Sequence, residues 1–218
     1  MALSVQRNVY TGIGFAVLAV IIWSGNFIVA RGVIHQIPPV SLAFYRWLIA
    51  SLLIMPFAIR SFKKEWPLAK RSITYLFWVS LTGIALFNTF VYVGGDYTSA
   101  INLALIGTTS SPIMANIMAT IYLKEKIGLY KIAGITLCIT GVLFLLARGN
   151  FSNLQTFTFS KGDLWVLLAA FCFFVYNTLV RKKPIAISPS SFLLAIFSLG
   201  TILLLPFFLW EMNYSKPV

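Results

Sequence analysis

Apolar positions in this chain fall in long unbroken runs separated by short polar stretches, at about 10–30, 39–59, 73–92, 100–122, 132–147, 163–180 and 190–209. The fifth run is the shortest, and the others come close to the roughly twenty residues an α-helix needs to cross a hydrocarbon core. None shows the apolar/polar alternation of a barrel strand, so helices are the means of pairing their backbone groups in lipid. The pattern predicts an all-α polytopic membrane protein with seven transmembrane helices. Composition agrees: 59% of the 218 residues are hydrophobic and 10% charged, with a mean hydropathy of +0.89, a balance that a soluble domain of this size cannot bury. Arg7 precedes the first run as it would in a signal peptide. That run is too long for such a segment and no A-x-A cleavage site follows it, so it is read as a retained helix.

A net charge of +12 raises the question of nucleic acid, but the cations are scattered through short loops and form no basic domain. Their distribution fixes an orientation instead. With the N-terminus cytoplasmic, that side holds Arg7, Arg60, Lys63, Lys64, Lys70, Arg71, Lys124, Lys126, Lys131, Arg181, Lys182 and Lys183. The other side holds Arg31, Arg148, Lys161 and Lys216, and Arg46 lies inside the second run. The expected partners are therefore the lipid bilayer and a small polar or zwitterionic metabolite, with no nucleic acid.

A repeat runs through the chain. Shifted by 150 residues, Pro39, Ser41, Leu53, Pro56 and Phe57 fall on Pro189, Ser191, Leu203, Pro206 and Phe207. Two prolines at one separation are a stronger coincidence than matched Leu or Phe in apolar sequence. A shift of 151 places Ala19, Asn26 and Val29 on Ala170, Asn177 and Val180. One repeat then comprises five spans, residues 1–149, and residues 150–218 hold the first two helices of a second copy. An odd number of helices forces the second copy to run inverted across the membrane, which is a transporter architecture with a solute site near the midplane. By this symmetry three further helices are expected, so the working protein is longer or the chain is a fragment.

Trp23-Ser24-Gly25-Asn26, Pro38-Pro39 leading to Tyr45-Arg46, Tyr97-Thr98-Ser99-Ala100, Ser111-Pro112, Leu123-Lys124-Glu125-Lys126 and Gly162-Asp163-Leu164 occur in that order. In this combination the chain resembles the EamA family of the drug/metabolite transporter superfamily. The resemblance implies a ten-helix inner-membrane exporter or exchanger of amino acids or related small metabolites, with both termini cytoplasmic. It also implies alternating access between the inverted repeats.

A pathway for a polar solute needs polar side chains facing one another, since lipid penalises them elsewhere. In the fourth run Asn102, Thr109 and Asn116 recur at seven-residue spacing and share a helix face, joined by Thr120. Pro112 there frees the carbonyl of Thr108 beside the hydroxyl of Ser111. The competing reading is hydroxyls satisfying backbone at a kink or joining helices. Trp23 and Asn26 in the first run, Asn88 and Tyr92 in the third, and Tyr176 and Asn177 in the sixth complete the candidate substrate-binding set. Aromatic walls with a few fixed polar groups suit a small zwitterion, and interhelical hydrogen bonding is the alternative for the asparagines. Arg46, seven residues into its span, needs a partner, hydration or a route to the headgroups. Asp96 is the nearest acid by topology, so the two form a candidate outer gate or carboxylate holder. Other features read as structural: Gly134, Cys138 and Gly141 as a small-residue packing ridge, and Ser160 with Asp163 as a capping box.

No G-x-S-x-G or H-E-x-x-H motif occurs, His35 is the sole histidine, and Cys138 and Cys172 lie within apolar runs. An enzyme, a metal site and a bound cofactor are therefore not expected. The alternatives to a transporter are a seven-helix channel or receptor-like protein, or a fragment without transport of its own. Reporter fusions test the orientation: those placed near Lys63 and near Arg181 should both read as cytoplasmic, and opposite sides would dissolve the inverted repeat.

Overall fold

The computed structural model describes residues 10–15, 17–22, 25, 32–33, 36–99, 103, 105–107, 109–110, 113–114, 128–146, 160–181, 183 and 186–214. No strand occurs among them. The main helices are α1 (Pro39–Arg71), α2 (Ile73–Tyr97), α3 (Leu129–Leu146), α4 (Lys161–Arg181) and α5 (Pro189–Tyr214). Among the described residues, α1, α2, α4 and α5 are long and apolar enough to cross a membrane. The fifth expected span corresponds to α3. The first is helical over Tyr10–Ile22, and the fourth is described at only a few positions, which are helical.

The largest departure from the hydropathy pattern is the length of α1. Its apolar run ends near Ile59, yet the helix continues to Arg71, for 33 residues in all, or about 50 Å at 1.5 Å per residue. Polar sequence is no obstacle to a helix once it has left the lipid. Phe62, Trp66 and Ala69 keep one side apolar, Ala69 is buried, and Lys70 and Arg71 suit the negative end of the helix dipole. Pro56 lies inside α1 and Pro206 inside α5, so both matched prolines are accommodated within membrane helices.

Helices α1 and α5 run antiparallel along one another. Phe44 stacks on Phe208 with ring centroids 4.3 Å apart, and Trp47 meets Phe197 at 4.8 Å. Mid-way, the hydroxyls of Ser51 and Thr201, 150 residues apart in sequence, lie 3.4 Å apart. Both ends of the pair are fastened by a carboxylate. Helix α1 starts at Pro38-Pro39 with no side-chain cap of its own, and Glu211 from the far end of α5 supplies one. Val40 N–H donates to Glu211 Oε1 (3.1 Å), and Ser41 donates to Oε2 through its N–H (2.6 Å) and its hydroxyl (2.7 Å). At the opposite end, Ser188 at the start of α5 donates its N–H (3.1 Å) and hydroxyl (3.0 Å) to Glu65 Oε2 of α1. Each carboxylate meets the free N–H groups and positive dipole end of the other helix.

Helix α2 is antiparallel to α4 and lies between α4 and α5. Its backbone approaches α4 most closely where two glycines meet: a Cβ on Gly162 would stand 2.7 Å from the Gly94 carbonyl oxygen and 2.8 Å from the Thr98 nitrogen. Further along, Phe90 packs on Trp165 and Phe87 stacks on Phe173. The Tyr75 hydroxyl donates to the Leu179 carbonyl (3.0 Å). Two buried clusters result, one around Phe44, Val91, Tyr92, Val166 and Phe208, the other around Leu76, Val79, Phe192 and Ile196.

The packing ridge expected on α3 is not used in that way. A Cβ on Gly134 or Gly141 meets nothing within 4 Å, and Cys138 is exposed. Small residues bring helices together only where another helix faces them, and among the described residues none faces these positions of α3.

Replacing Glu211 by Gln keeps the shape and removes the charge from three hydrogen bonds. Thermal unfolding in detergent should show a loss of about 1–3 kcal/mol. An unchanged midpoint would mean that the cap contributes nothing to the entry of α1.

Candidate functional site

Asn88, Tyr92 and Asp96 follow one another at four-residue intervals on α2 and so share a face. The local backbone there is unusual. Leu81–Leu86 forms a π-helical stretch inside α2, a wider turn that recurs at functional positions in other helices. Asn88 holds it: its Nδ2 donates to the carbonyls of Gly83 (3.3 Å) and Ile84 (3.2 Å). Thr82 adds a bond to the Trp78 carbonyl at 2.7 Å. Gly83 lies directly beneath the ring of Tyr176 from α4, and Ile84 packs against Gly200 of α5. The bulge is thereby clasped by helices from both sides of α2.

One turn beyond Asn88, Tyr92 is 2% exposed, and its hydroxyl accepts a hydrogen bond from Arg46 Nη1 of α1 at 2.6 Å. The Arg46 guanidinium also lies 5.6 Å from the centre of the Trp47 ring. A cation inside a span is thus held by a phenol and an aromatic face, both of which favour its charge in a low-dielectric setting. Asp96 is exposed at the end of α2, one turn past Tyr92. Nearby in sequence, the buried Trp47 Nε1 and Thr89 Oγ1 have no hydrogen-bond partner.

The structure therefore brings together Arg46 and Tyr92, with Asn88 one turn away and Tyr176 across the π stretch. Asn177 is exposed and donates to the Phe173 carbonyl of its own helix at 2.9 Å. The Thr109 hydroxyl donates to the Leu105 carbonyl. Leu103 and Ile106 of the same span are buried in the cluster with Val166. Trp23, Asn26, Asn102, Thr108, Ser111, Pro112 and Asn116 lie outside the described residues. Asp163 is a cap: it accepts from Ser160 N–H (2.9 Å), returns its own N–H to Ser160 Oγ (3.1 Å), and accepts from the Thr98 hydroxyl (2.7 Å).

Sequence reasoning passed over Glu65, Glu211 and the π stretch. The scarcity of acids was the usable signal, since the chain has five in all and one of them ends an apolar helix. The π stretch has no hydropathy signature.

Comparison with known proteins turns this geometry into a membership. The family model described as the EamA-like transporter family matches residues 10–147, well over half of the chain. The chain belongs to the EamA-like transporter family. An uncharacterized transporter of Archaeoglobus fulgidus is 28% identical over 209 residues, covering 92% of this chain and 68% of that protein. The uncharacterized transporters YyaM and YetK of Bacillus subtilis are 29% and 27% identical, over 80% and 97% of this chain. The EamA-like chain spans 56% of YyaM and 64% of YetK. No solved structure matches it. The EamA-like match covers α1, α2 and α3, and with them Arg46, Asn88, Tyr92 and Asp96. Membership makes the chain a multi-pass membrane protein of a transporter family, in contact with the lipid bilayer.

Replacing Tyr92 by Phe removes one acceptor of Arg46. Because the bond is charge-assisted and partly buried, thermal unfolding should report a loss of about 1.5–3 kcal/mol. A loss below half a kcal/mol would show that Arg46 does not depend on the phenol.

Proposed function

We propose that the chain is the transport-forming part of an inner-membrane secondary transporter that exports or exchanges amino acids or related small metabolites. It works by alternating access between two inverted repeats, residues 1–149 and 150–218, with the N-terminus cytoplasmic. The observation that carries this reading is the pairing of α1 with α5. Ser51 and Thr201, equivalent under the 150-residue shift, meet mid-way along two antiparallel helices, as equivalent positions do at a two-fold axis lying in the membrane plane. The reciprocal caps from Glu211 and Glu65 follow the same relation to within about a helical turn.

The solute class follows from the chemistry at Arg46, Tyr92 and Asn88. A guanidinium beside a phenol, with an amide one turn away, suits a carboxylate and its neighbouring polar group. Trp23, Asn26, Asn102, Thr108, Thr109, Ser111, Pro112, Asn116, Tyr176 and Asn177 complete the wall in this reading. Arg46 and Asp96 form its outer gate, with Tyr92 as the hinge between them. The unpartnered Trp47 Nε1 and Thr89 Oγ1 favour a hydrated or solute-bearing interior, because a buried donor without a partner costs about 1–3 kcal/mol.

Efflux of labelled amino acids from cells expressing the chain tests the proposal. Replacing Arg46 by Gln, with the variant present in the membrane at the parent's level, should weaken saturable efflux by one to two orders of magnitude, the equivalent of about 1.5–3 kcal/mol. Equal efflux by both would remove Arg46 from the site. Efflux no greater than in control cells for every amino acid would remove the solute class.

A further inference from the structure

Where α1 leaves its apolar run, a groove of about 210 Å³ opens between three helices. Phe62 and Trp66 of α1, Ile73 of α2, and Leu194, Leu199 and Ile202 of α5 line it, and among the described residues Ser198 is the one polar side chain in the wall. Trp66, Ile73 and Ile202 are exposed along it, at 48%, 47% and 62%. Phe62 and Trp66 pack edge to face at 5.5 Å, so the upper rim is a firm aromatic wall.

Depth along the helices gives the groove a direction. The first 21 residues of α1, to Ile59, already span a hydrocarbon core of about 30 Å at 1.5 Å per residue. Phe62 and Trp66 therefore stand at headgroup level, where indole rings are favoured. Helix α5 starts at this same end, with Leu194 about one turn in and Ile202 over two turns deeper, so the groove descends from the interface into the leaflet. At its upper end the chain is cationic. Lys63 and Lys70, seven residues apart, share a face that adjoins the Phe62–Trp66 stripe. Arg60, Lys64 and Arg71 are exposed on the same extension. The one acid there, Glu65, is engaged by Ser188, so its charge faces the start of α5.

We propose that this groove is a binding site for an anionic phospholipid of the bilayer. The acyl chain lies along Trp66, Leu194 and Ile202, and the phosphate is held by Lys63 and Lys70. A zwitterionic lipid fills the same groove with its tail but gains less from the cations, since a basic residue at an anionic surface favours binding by about fivefold. The site stands independently of transport, because it is formed on the outer surface of α1, α2 and α5.

Tryptophan quenching by brominated lipid tests it. The chain is reconstituted in phosphatidylcholine vesicles containing a fixed fraction of either dibrominated phosphatidylglycerol or dibrominated phosphatidylcholine. The difference between the parent and Trp66→Phe isolates the signal of Trp66. Its relative association constant should favour phosphatidylglycerol by about fivefold or more. In Lys63→Gln/Lys70→Gln the preference should fall to about one, with thermal unfolding unchanged. Equal quenching by both lipids in the parent would reduce the groove to ordinary boundary contact. Shielding of Trp66 from both would mean that protein covers it, and an undiminished preference in the double variant would remove the two lysines; each of these outcomes overturns the proposal. The parent comparison alone is decisive if the double variant fails to fold.

Discussion

The antiparallel pairing of α1 and α5 is the constraint on which the described structure rests. In lipid, apolar side chains gain little by leaving the bilayer for one another, so close packing and interhelical hydrogen bonds must hold helices together. This pair has polar fastenings at both ends, Glu211 on Val40 and Ser41 and Glu65 on Ser188, and between them Ser51 meets Thr201, each hydroxyl donating to its own helix. Phe44 on Phe208 and Trp47 on Phe197 fill the intervals. The caps also resolve a local difficulty. A helix entered through Pro38-Pro39 has no side chain to satisfy its first N–H groups, and in a membrane protein water is not reliably at hand to do so.

Helix α2 is attached to α4 by different means. Its contacts with α4 depend on missing side chains, at Gly94 and Gly162, and its π stretch fits under Tyr176 through Gly83. The bulge places Asn88 with its amide turned back onto the Gly83 and Ile84 carbonyls, and the next turn presents Tyr92 to Arg46. The same short segment therefore fixes helix packing and sets the polar face of the candidate site. A bond between α1 and α2 at Arg46 and Tyr92 then ties the site to the fastened pair.

What the sequence made legible follows from which forces act locally. Among the described residues the apolar runs located the four long helices, because burial in lipid acts on every residue of a span. The 150-residue offset pointed to Pro56 and Pro206, and both lie inside paired helices. The Ser160–Asp163 cap was readable because its partners are three residues apart. The extension of α1 to Arg71 was not, since hydropathy marks where lipid ends and not where a helix does. The fastenings by Glu65 and Glu211 join residues 123 and 170 apart, beyond any local pattern. The topological reading of Arg46 identified the helix it meets, and the structure adds Tyr92, one turn before Asp96 on the same face, as an acceptor. A phenol is hard to foresee as a partner from sequence, because its hydroxyl becomes valuable only when burial removes water from it.

The contrast between the two kinds of attachment bears on movement. A pair held at both ends by hydrogen bonds to carboxylates, with Ser51 against Thr201 between them, has no free end from which to separate, so α1 and α5 stay together. The contact of α2 with α4 is of another kind: the backbones meet closely at Gly94 and Gly162, and hydrogen bonds from Tyr75 to the Leu179 carbonyl and from Thr98 to Asp163 close its two ends. A π stretch adds a place where a helix can change its winding with the exchange of one or two hydrogen bonds. Under the proposed alternating access, α1 belongs to one repeat and α5 to the other, so their fastened pair is the axis about which the repeats turn, and the bond from Arg46 to Tyr92 lies beside it within the first repeat. The residues proposed to meet the solute would stand beside that axis, where binding can favour one arrangement over the other only through contacts that differ between them.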